Sequence, residues 1–255
     1  MKKWRLLKTG YSSAALNMGI DQAVLEARSR DESPCTLRVY EWRPSAISIG
    51  YFQSMNEEVD VPVCDEMGVD LVRRITGGGA VYHDEKGEVT YSIIFKEGDL
   101  DLPERVQDAY GPLCQGIVDG LKELDMNAEF KPINDITVAG KKISGNAQTR
   151  KMGCILQHGT LLYDVDARTM FKLLLVPNEK IRDKMIAGVE ERVTSIRHET
   201  GNKASIEDVE DALIEGFSSA LGIELKPGEL TEKEMARAEE VAREKYGSKK
   251  WNFKR

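Results

Sequence analysis

Cysteine is sparse and scattered: four residues, Cys35, Cys64, Cys114 and Cys154, occur among 255, and no Cys-x-x-Cys pair is present. That spacing excludes a zinc knuckle and gives no disulfide framework, so free, buried thiols are expected. Apolar runs long enough to cross a bilayer are also lacking, which excludes a helical membrane protein. The opening MKKWRLLKTGYSS begins with two lysines but has no sustained apolar segment or small-residue cleavage site. It does not read as a secretory signal, and a cytoplasmic location is expected. A positive charge excess is missing as well. The formal net charge of -7 argues against broad nucleic-acid binding. The basic tail SKKWNFKR reads as a docked segment, with Trp251 and Phe253 packed and the lysines solvated.

What is present is a globular composition, 41% hydrophobic and 31% charged, in a chain able to bury a large core. The stretch 12–29 places Leu16, Ile20, Ala23, Val24 and Ala27 on one helical stripe behind Ser12 or Ser13 as N-cap. TLRVYEW and AISIGYFQ read as strands broken by Arg43-Pro44-Ser45, and VDVPVCDEMG as a short helix closed by Gly68. VDLVRRI is a further strand that runs into Gly77-Gly78-Gly79. AVYHD and EVTYSIIF then flank DEKGE, a hairpin signal with Gly87 at its turn. Residues 102–125 read as a helix with Pro103 in its first turn and Pro112 as a kink. NDITVAGKKISGNAQ, turning at Ala139-Gly140, and CILQHGTLLYDV complete the strands. Beyond Asp166 the pattern is helical, including PNEKIRDKMI, and a boundary near 226–228 divides a main domain, 1–226, from a short helical extension, 227–255. The expected fold is α/β, with a mixed, largely antiparallel sheet flanked by helices.

Three clusters carry candidate chemistry. In RRITGGGAVYHD, three glycines suit either a ligand-binding loop or a tight turn, and no Walker sequence is present. Arg73 and Arg74 adjoin in a strand and point to opposite faces, leaving one fork for a phosphate or carboxylate. Thr76 and His83 add polar ends, and His83 reads equally well as a satisfied, hydrogen-bonded histidine. In NDITVAGKKISGNAQ, Asn134 and Asp135 offer oxygen ligands of the kind Mg²⁺ accepts, or open the strand as an Asx turn. Lys141 and Lys142 alternate faces, and one directed over the sheet beside Gly145 implies an anion. In LQHGTLLYD, His158 is either a core histidine or part of a site.

Taken together, the three segments resemble the lipoate-protein ligase A family in order and wording. The likeness runs from about Leu6 to Val176, with an echo in ERVTSI and KYGSKKWN. The resemblance implies the fold of biotin protein ligases and class II aminoacyl-tRNA synthetases. It further implies an ATP-dependent, cytoplasmic ligase that converts lipoate to lipoyl-adenylate and passes the lipoyl group to a lysine of lipoyl domains. These would be the E2 subunits of 2-oxoacid dehydrogenases and the H protein of glycine cleavage. Carried over by position, Lys142 would be catalytic, meeting the acyl carboxylate and the α-phosphate. Arg74, Thr76, Gly77, Gly78, Gly79, Ala80, Val81, Tyr82, His83, Asn134, Asp135, Ser144 and Gly145 would surround ATP or the adenylate. Gly78 and His158 would join Lys142 at the lipoate, and Asp135 would hold Mg²⁺. AISIGYF and AVY would wall the acyl slot.

Two departures qualify that picture. The chain stops too early for the fused accessory domain of longer family members, so a separate small accessory subunit is expected for adenylation. Related octanoyl- and lipoyl transferases pass the acyl group through a cysteine, which in one branch lies just upstream of GKKISG; this chain reads PINDITV there. In the other branch it follows the late strand, where this chain reads LLVPNEK, and Cys154 falls at neither place. The cysteine-dependent octanoyl/lipoyl transferase is therefore the second reading, and a noncatalytic acyl-nucleotide sensor the third.

Overall fold

Side chains in the run TLRVYEW sort by parity: Leu37 and Val39 join one buried cluster, Tyr40 and Trp42 another. That two-fold alternation is what a strand covered on both faces requires. The computed structural model describes residues 1–176 and 178–254. Its strands are β1 (Lys2–Ser12), β2 (Thr36–Trp42), β3 (Ala46–Ile49), β4 (Asp70–Arg73), β5 (Val81–His83) and β6 (Glu88–Lys96). They continue as β7 (Ala128–Lys131), β8 (Asp135–Val138), β9 (Lys141–Lys151), β10 (Cys154–Leu162) and β11 (Ile223–Pro227). The helices are α1 (Ala14–Ser29), α2 (Met55–Glu58), α3 (Val61–Glu66), α4 (Val106–Glu123) and α5 (Ala167–Leu173). After them come α6 (Glu179–Arg192), α7 (Ile196–Glu199), α8 (Ile206–Leu221), α9 (Glu232–Val241) and α10 (Lys249–Asn252).

Among the described residues, eight strands form one sheet in the order β11-β1-β2-β6-β10-β9-β8-β7, and three form a second, β4-β3-β5. Parallel pairing is confined to β11-β1 and β1-β2 in the large sheet and β3-β4 in the small one, so the expected mixed, largely antiparallel architecture is present. Helices α4 and α8 cover one face of the large sheet and α1 the other. Contact between α4 and α8 is backbone-close: a Cβ at Gly216 would stand 2.2 Å from the Gly116 carbonyl oxygen. None of the helices among the described residues is long and apolar enough to cross a membrane.

Local expectations fare unevenly. Ser13 caps α1 by accepting from the Leu16 amide, and Ile20, Ala23, Val24 and Ala27 are buried. Ala139 and Gly140, at φ 49° and 80°, make the turn between β8 and β9. The hairpin expected around Gly87 does not form. Strand β5 pairs with β3 in the small sheet, while β6 pairs with β2 and β10 in the large one. The DEKGE segment is a crossing between sheets. Pairing also separates β2 from β3, and the strands at β1, β7 and β11 carry no signal strong enough to be read from the sequence. Pro103 precedes α4, and Pro112 lies inside it. Pro177 of the PNEKIRDKMI segment lies outside the described residues, as does Arg255.

The C-terminal helices pack back onto the start of the chain. Arg5 of β1, buried, donates to both carboxylate oxygens of Glu234 in α9 at 2.7 and 2.8 Å and to Ser33 at 2.8 Å. Glu234 also accepts from the Thr231 amide at 2.8 Å, closing the capping box of α9. Burial opposes the Glu234 charge, but the Arg5 fork, the Thr231 amide and the Ser33 hydroxyl outweigh it and bring its carboxyl down from 4.5 to about 2. A depressed carboxylate stabilises the fold fully above its unfolded value, and the contribution disappears as pH falls through the folded one. Glu234→Ala is therefore expected to cost ~3 kcal/mol at neutral pH. In thermal melts across pH, its deficit against the parent should shrink as pH drops from 4.5 to about 2.

Candidate active site

Two adjacent arginines fix the glycine loop and the C-terminal segment between them. Their opposite orientation follows from strand alternation at the end of β4, and both are buried. Arg73 donates to the carbonyls of Trp251 and Asn252 in the C-terminal segment and to those of Gly50, Tyr51 and Gln53. Arg74 donates from one nitrogen to the Ser48 carbonyl at 2.9 Å and hydroxyl at 3.1 Å. Its other nitrogen donates to the carbonyls of Gly77 at 2.8 Å and Gly79 at 2.7 Å. The expectation that one fork is left for an anion is thus corrected: protein acceptors occupy both. Burial lowers Arg74 to about 10, so it stays charged at neutral pH. Within the triplet only Gly78 uses a conformation that favours glycine, at φ 97°.

The loop roofs a cavity of about 360 Å³, within the size range of small-molecule sites. Arg74, Gly78, Gly79, Ala80, Val81, Tyr82, His83, Asn134, Lys142, Gly145 and His158 of the expected set border it. Thr76, Gly77, Asp135 and Ser144 do not, and act through neighbours. Thr76, fully buried, bonds His158 Nε2 at 2.8 Å. Gly77 accepts from Arg74. Ser144 is buried beside Asn146, 3.5 Å from its side-chain amide. Asp135 pairs with Lys142, Oδ1 to Nζ at 2.7 Å, where both side chains are part-exposed. Asn134 and Asn146 exchange side-chain-to-carbonyl hydrogen bonds, which ties the start of β8 to β9. Lys141, by contrast, reaches the Glu190 carbonyl at the surface, at 3.4 Å. The Lys142 carbonyl accepts from Thr194 at 2.8 Å, anchoring the chain that follows α6 beside the cavity.

The floor holds groups that the motifs do not reveal. Ser48 bonds His83 Nε2 at 2.8 Å, and His83 Nδ1 meets Glu88 at 2.6 Å. The Trp42 ring stacks on His83 at 3.9 Å between centroids. A second chain runs from Thr76 through His158 to Asp21, which also accepts from Arg38 at 2.8 Å and Ser92 at 2.8 Å. Burial works against the Asp21 charge, yet His158, Arg38 and Ser92 hold its carboxyl below the usual range. Burial lowers His158 despite Asp21, so the imidazole is neutral at pH 7. The available signal was Arg38 inside an apolar strand and Asn17 with Asp21, four apart on the buried face of α1, since buried charge demands a partner.

All four cysteines are free and none borders the cavity. Burial, reinforced by Asp99, pushes Cys35 up to about 12, and burial raises Cys114 to about 12 and Cys64 to about 11.

Comparison with known proteins places this geometry. The model of the lipoyl protein ligase A/B catalytic domain matches residues 13–218. A protein named octanoyltransferase LipM from Kyrpidia tusciae is 42% identical over the whole of both chains. Its namesake from Staphylococcus aureus is 37% identical over 99% of each. Among solved structures, a bi-partite lipoate protein ligase described with its E2 lipoyl domain, from Thermoplasma acidophilum, has a TM-score of 0.89 at 32% identity, covering 99% of this chain and 97% of that one. These findings correct the expected activity. Curated relatives along the full length are octanoyltransferases, so the ATP-dependent lipoate ligase, with ATP, Mg²⁺ and lipoate as its requirements, is overturned. An acyl transferase exchanges one acyl bond for another and has no need of a nucleotide. The roles expected of Arg74 at a nucleotide and Asp135 at Mg²⁺ lapse with it; Arg74 holds the loop and Asp135 holds Lys142.

The loop's dependence on close packing is testable at Gly50, where an added Cβ would sit 2.0 Å from the Gly78 carbonyl oxygen. Gly50→Ala is expected to lose ~1–3 kcal/mol of stability in denaturant titrations. Gly79→Ala, whose Cβ would meet nothing within 4 Å, should stay within ~0.5 kcal/mol of the parent.

Proposed function

Since the chain belongs to the lipoyl protein ligase A/B catalytic domain family, we propose that it is an octanoyltransferase acting on lipoyl domains. It takes an octanoyl group from a carrier-protein thioester and passes it to the ε-amine of a lipoyl-domain lysine. The carrying observation is full-length similarity to octanoyltransferases, joined to a cavity with the Lys142 ammonium group at its border. Apolar side chains, Met18, Val81, Leu162, Met170 and Val189, suit an alkyl chain. Lys142 meets the carbonyl end, where its N–H groups offset the charge that builds on oxygen as the tetrahedral intermediate forms. Gly145 leaves room for that side chain: a Cβ there would lie 3.0 Å from Lys142 Nζ. The structural relative described with an E2 lipoyl domain supports the choice of acceptor. The expectation of a separate accessory subunit rests on adenylation and loses that ground with it.

The test combines octanoyl carrier protein with an apo lipoyl domain and no ATP. Octanoyl-lipoyl domain should form, and Lys142→Met should lower the rate ~10²–10³-fold with the melting temperature preserved. Acyl transfer that requires ATP and free octanoate would refute the assignment.

A further inference from the structure

We propose that the basic and aromatic patch formed by Tyr51, Phe52, Lys151, Lys245, Trp251 and Lys254 is the docking surface for an acidic face of the carrier protein that delivers the octanoyl thioester. The inference rests on the acyl-transfer function proposed above. Although the chain carries a formal net charge of -7, three ammonium groups gather here around two rings. Lys254 Nζ lies 3.6 Å from the Tyr51 ring centre and 3.9 Å from that of Trp251. Lys151 approaches Tyr51 at 5.2 Å, and Lys245 approaches Trp251 at 4.1 Å. Lys249 and Lys250 of α10, both exposed, directly precede Trp251 in the chain. Like charges this close raise one another's energy, and an anionic partner relieves that cost. Burial, with Lys151 and Lys254 nearby, lowers Lys245 to about 8, which leaves it largely charged at neutral pH. Glu26 acts the other way, but its carboxylate is held by Arg237 at 2.7 Å. Phe52 is 69% exposed and edge-on to Tyr51, and Met152, next to Lys151 in the turn between β9 and β10, is 55% exposed. Both offer apolar contact area beside the charges.

Position selects the donor over the acceptor. Strand alternation turns Arg74 toward the cavity and Arg73 the other way, and the patch is built on the Arg73 side. Tyr51 and Trp251 offer Arg73 their carbonyls at 3.0 and 3.1 Å, and the Trp251 indole donates to the Arg73 carbonyl at 2.8 Å. The Tyr51 amide donates to the Thr76 carbonyl at 2.8 Å, where the glycine loop begins. None of the six patch residues borders the cavity. An acceptor lysine has a short side chain on a folded domain, so that domain must itself come to the Lys142 border. A carrier protein holds its thioester at the end of a long, flexible prosthetic arm. Its body can dock across the loop while the arm reaches the cavity, and the tether supplies the thioester at high effective concentration. The chain's net negative charge repels an acidic partner at long range, and a local positive field decides the face on which that partner lands.

The experiment gives the intact chain saturating apo lipoyl domain and compares two donors, octanoyl carrier protein and octanoyl pantetheine, which has the arm without the protein. The double variant Lys151→Glu, Lys254→Glu is expected to lower kcat/KM for the carrier protein roughly 10–100-fold, chiefly through KM, with its melting temperature preserved. With octanoyl pantetheine it should match the parent. Where the double variant does not fold, Lys151→Glu alone decides, with a smaller loss in the same direction. Added salt should depress the parent's kcat/KM for the carrier protein and leave that for octanoyl pantetheine unchanged. An unchanged kcat/KM for the carrier protein in the folded variant would overturn the proposal, as would an equal loss with both donors. A loss confined to the KM for the lipoyl domain would overturn it too, by assigning the patch to the acceptor. Failure of the intact chain to transfer octanoate from either donor would instead remove the functional reading, and this proposal with it.

Discussion

The arrangement of the site depends on two buried guanidinium groups that have backbone carbonyls as their acceptors. A buried cation without acceptors is costly, and carbonyl oxygens on a loop without acceptable donors are costly as well. Pairing Arg73 and Arg74 with the carbonyls of 48, 50, 51, 53, 77, 79, 251 and 252 resolves both problems at once. Strand alternation sends the two forks in opposite directions, so one residue pair ties the glycine loop to β3 and the C-terminal segment to β4. The tail's aromatic residues belong to the same lock, because Trp251 donates its indole N–H to the Arg73 carbonyl at 2.8 Å. A triplet that looks flexible is held in one shape.

Beneath that roof the cavity floor is polar and fully partnered. Trp42 donates to Thr90, Thr90 to Glu88, and Glu88 meets His83. Such networks are favourable only when every member has its partner, and they then hold one geometry firmly. Ser48 joins the two halves of the site, since its hydroxyl meets both His83 and Arg74. The loop above and the network below are thus coupled through one small side chain. A ligand entering this space meets walls that are already in position, which lowers the ordering cost of binding.

Legibility followed the range of the interactions. Helix α1, the Ala139-Gly140 turn and the strands flanking it could be read from the sequence because caps, periodicity and turn residues act within a few positions. The Gly87 segment misled because a turn signal says where the chain bends and nothing about which sheet each arm joins. Strand β1 pairs with β2 and β11, partners distant in sequence, and its own residues, KKWRLLKTGYS, alternate poorly. Clustering of Arg74, His83, Lys142 and His158 around one space was visible through the family resemblance. Their partners were not, because Asp21, Ser48 and Glu88 look ordinary until tertiary packing buries them.

The same distinction explains why the framework was legible and the reaction was not. A slot for an acyl chain, a rigid loop and a lysine at the carbonyl serve any reaction that delivers an acyl group to an amine, whether the acyl arrives as a phosphate anhydride or as a thioester. What separates the chemistries is the leaving group and how its departure is assisted, and that is settled by a few side chains, not by the sheet. A thioester brings its own activation, so a site receiving one must chiefly stabilise an oxyanion and keep its reacting groups in place. Lys142, at the border of the cavity and held by Asp135 at 2.7 Å, suits the first demand. The second falls to the loop that Arg74 holds still.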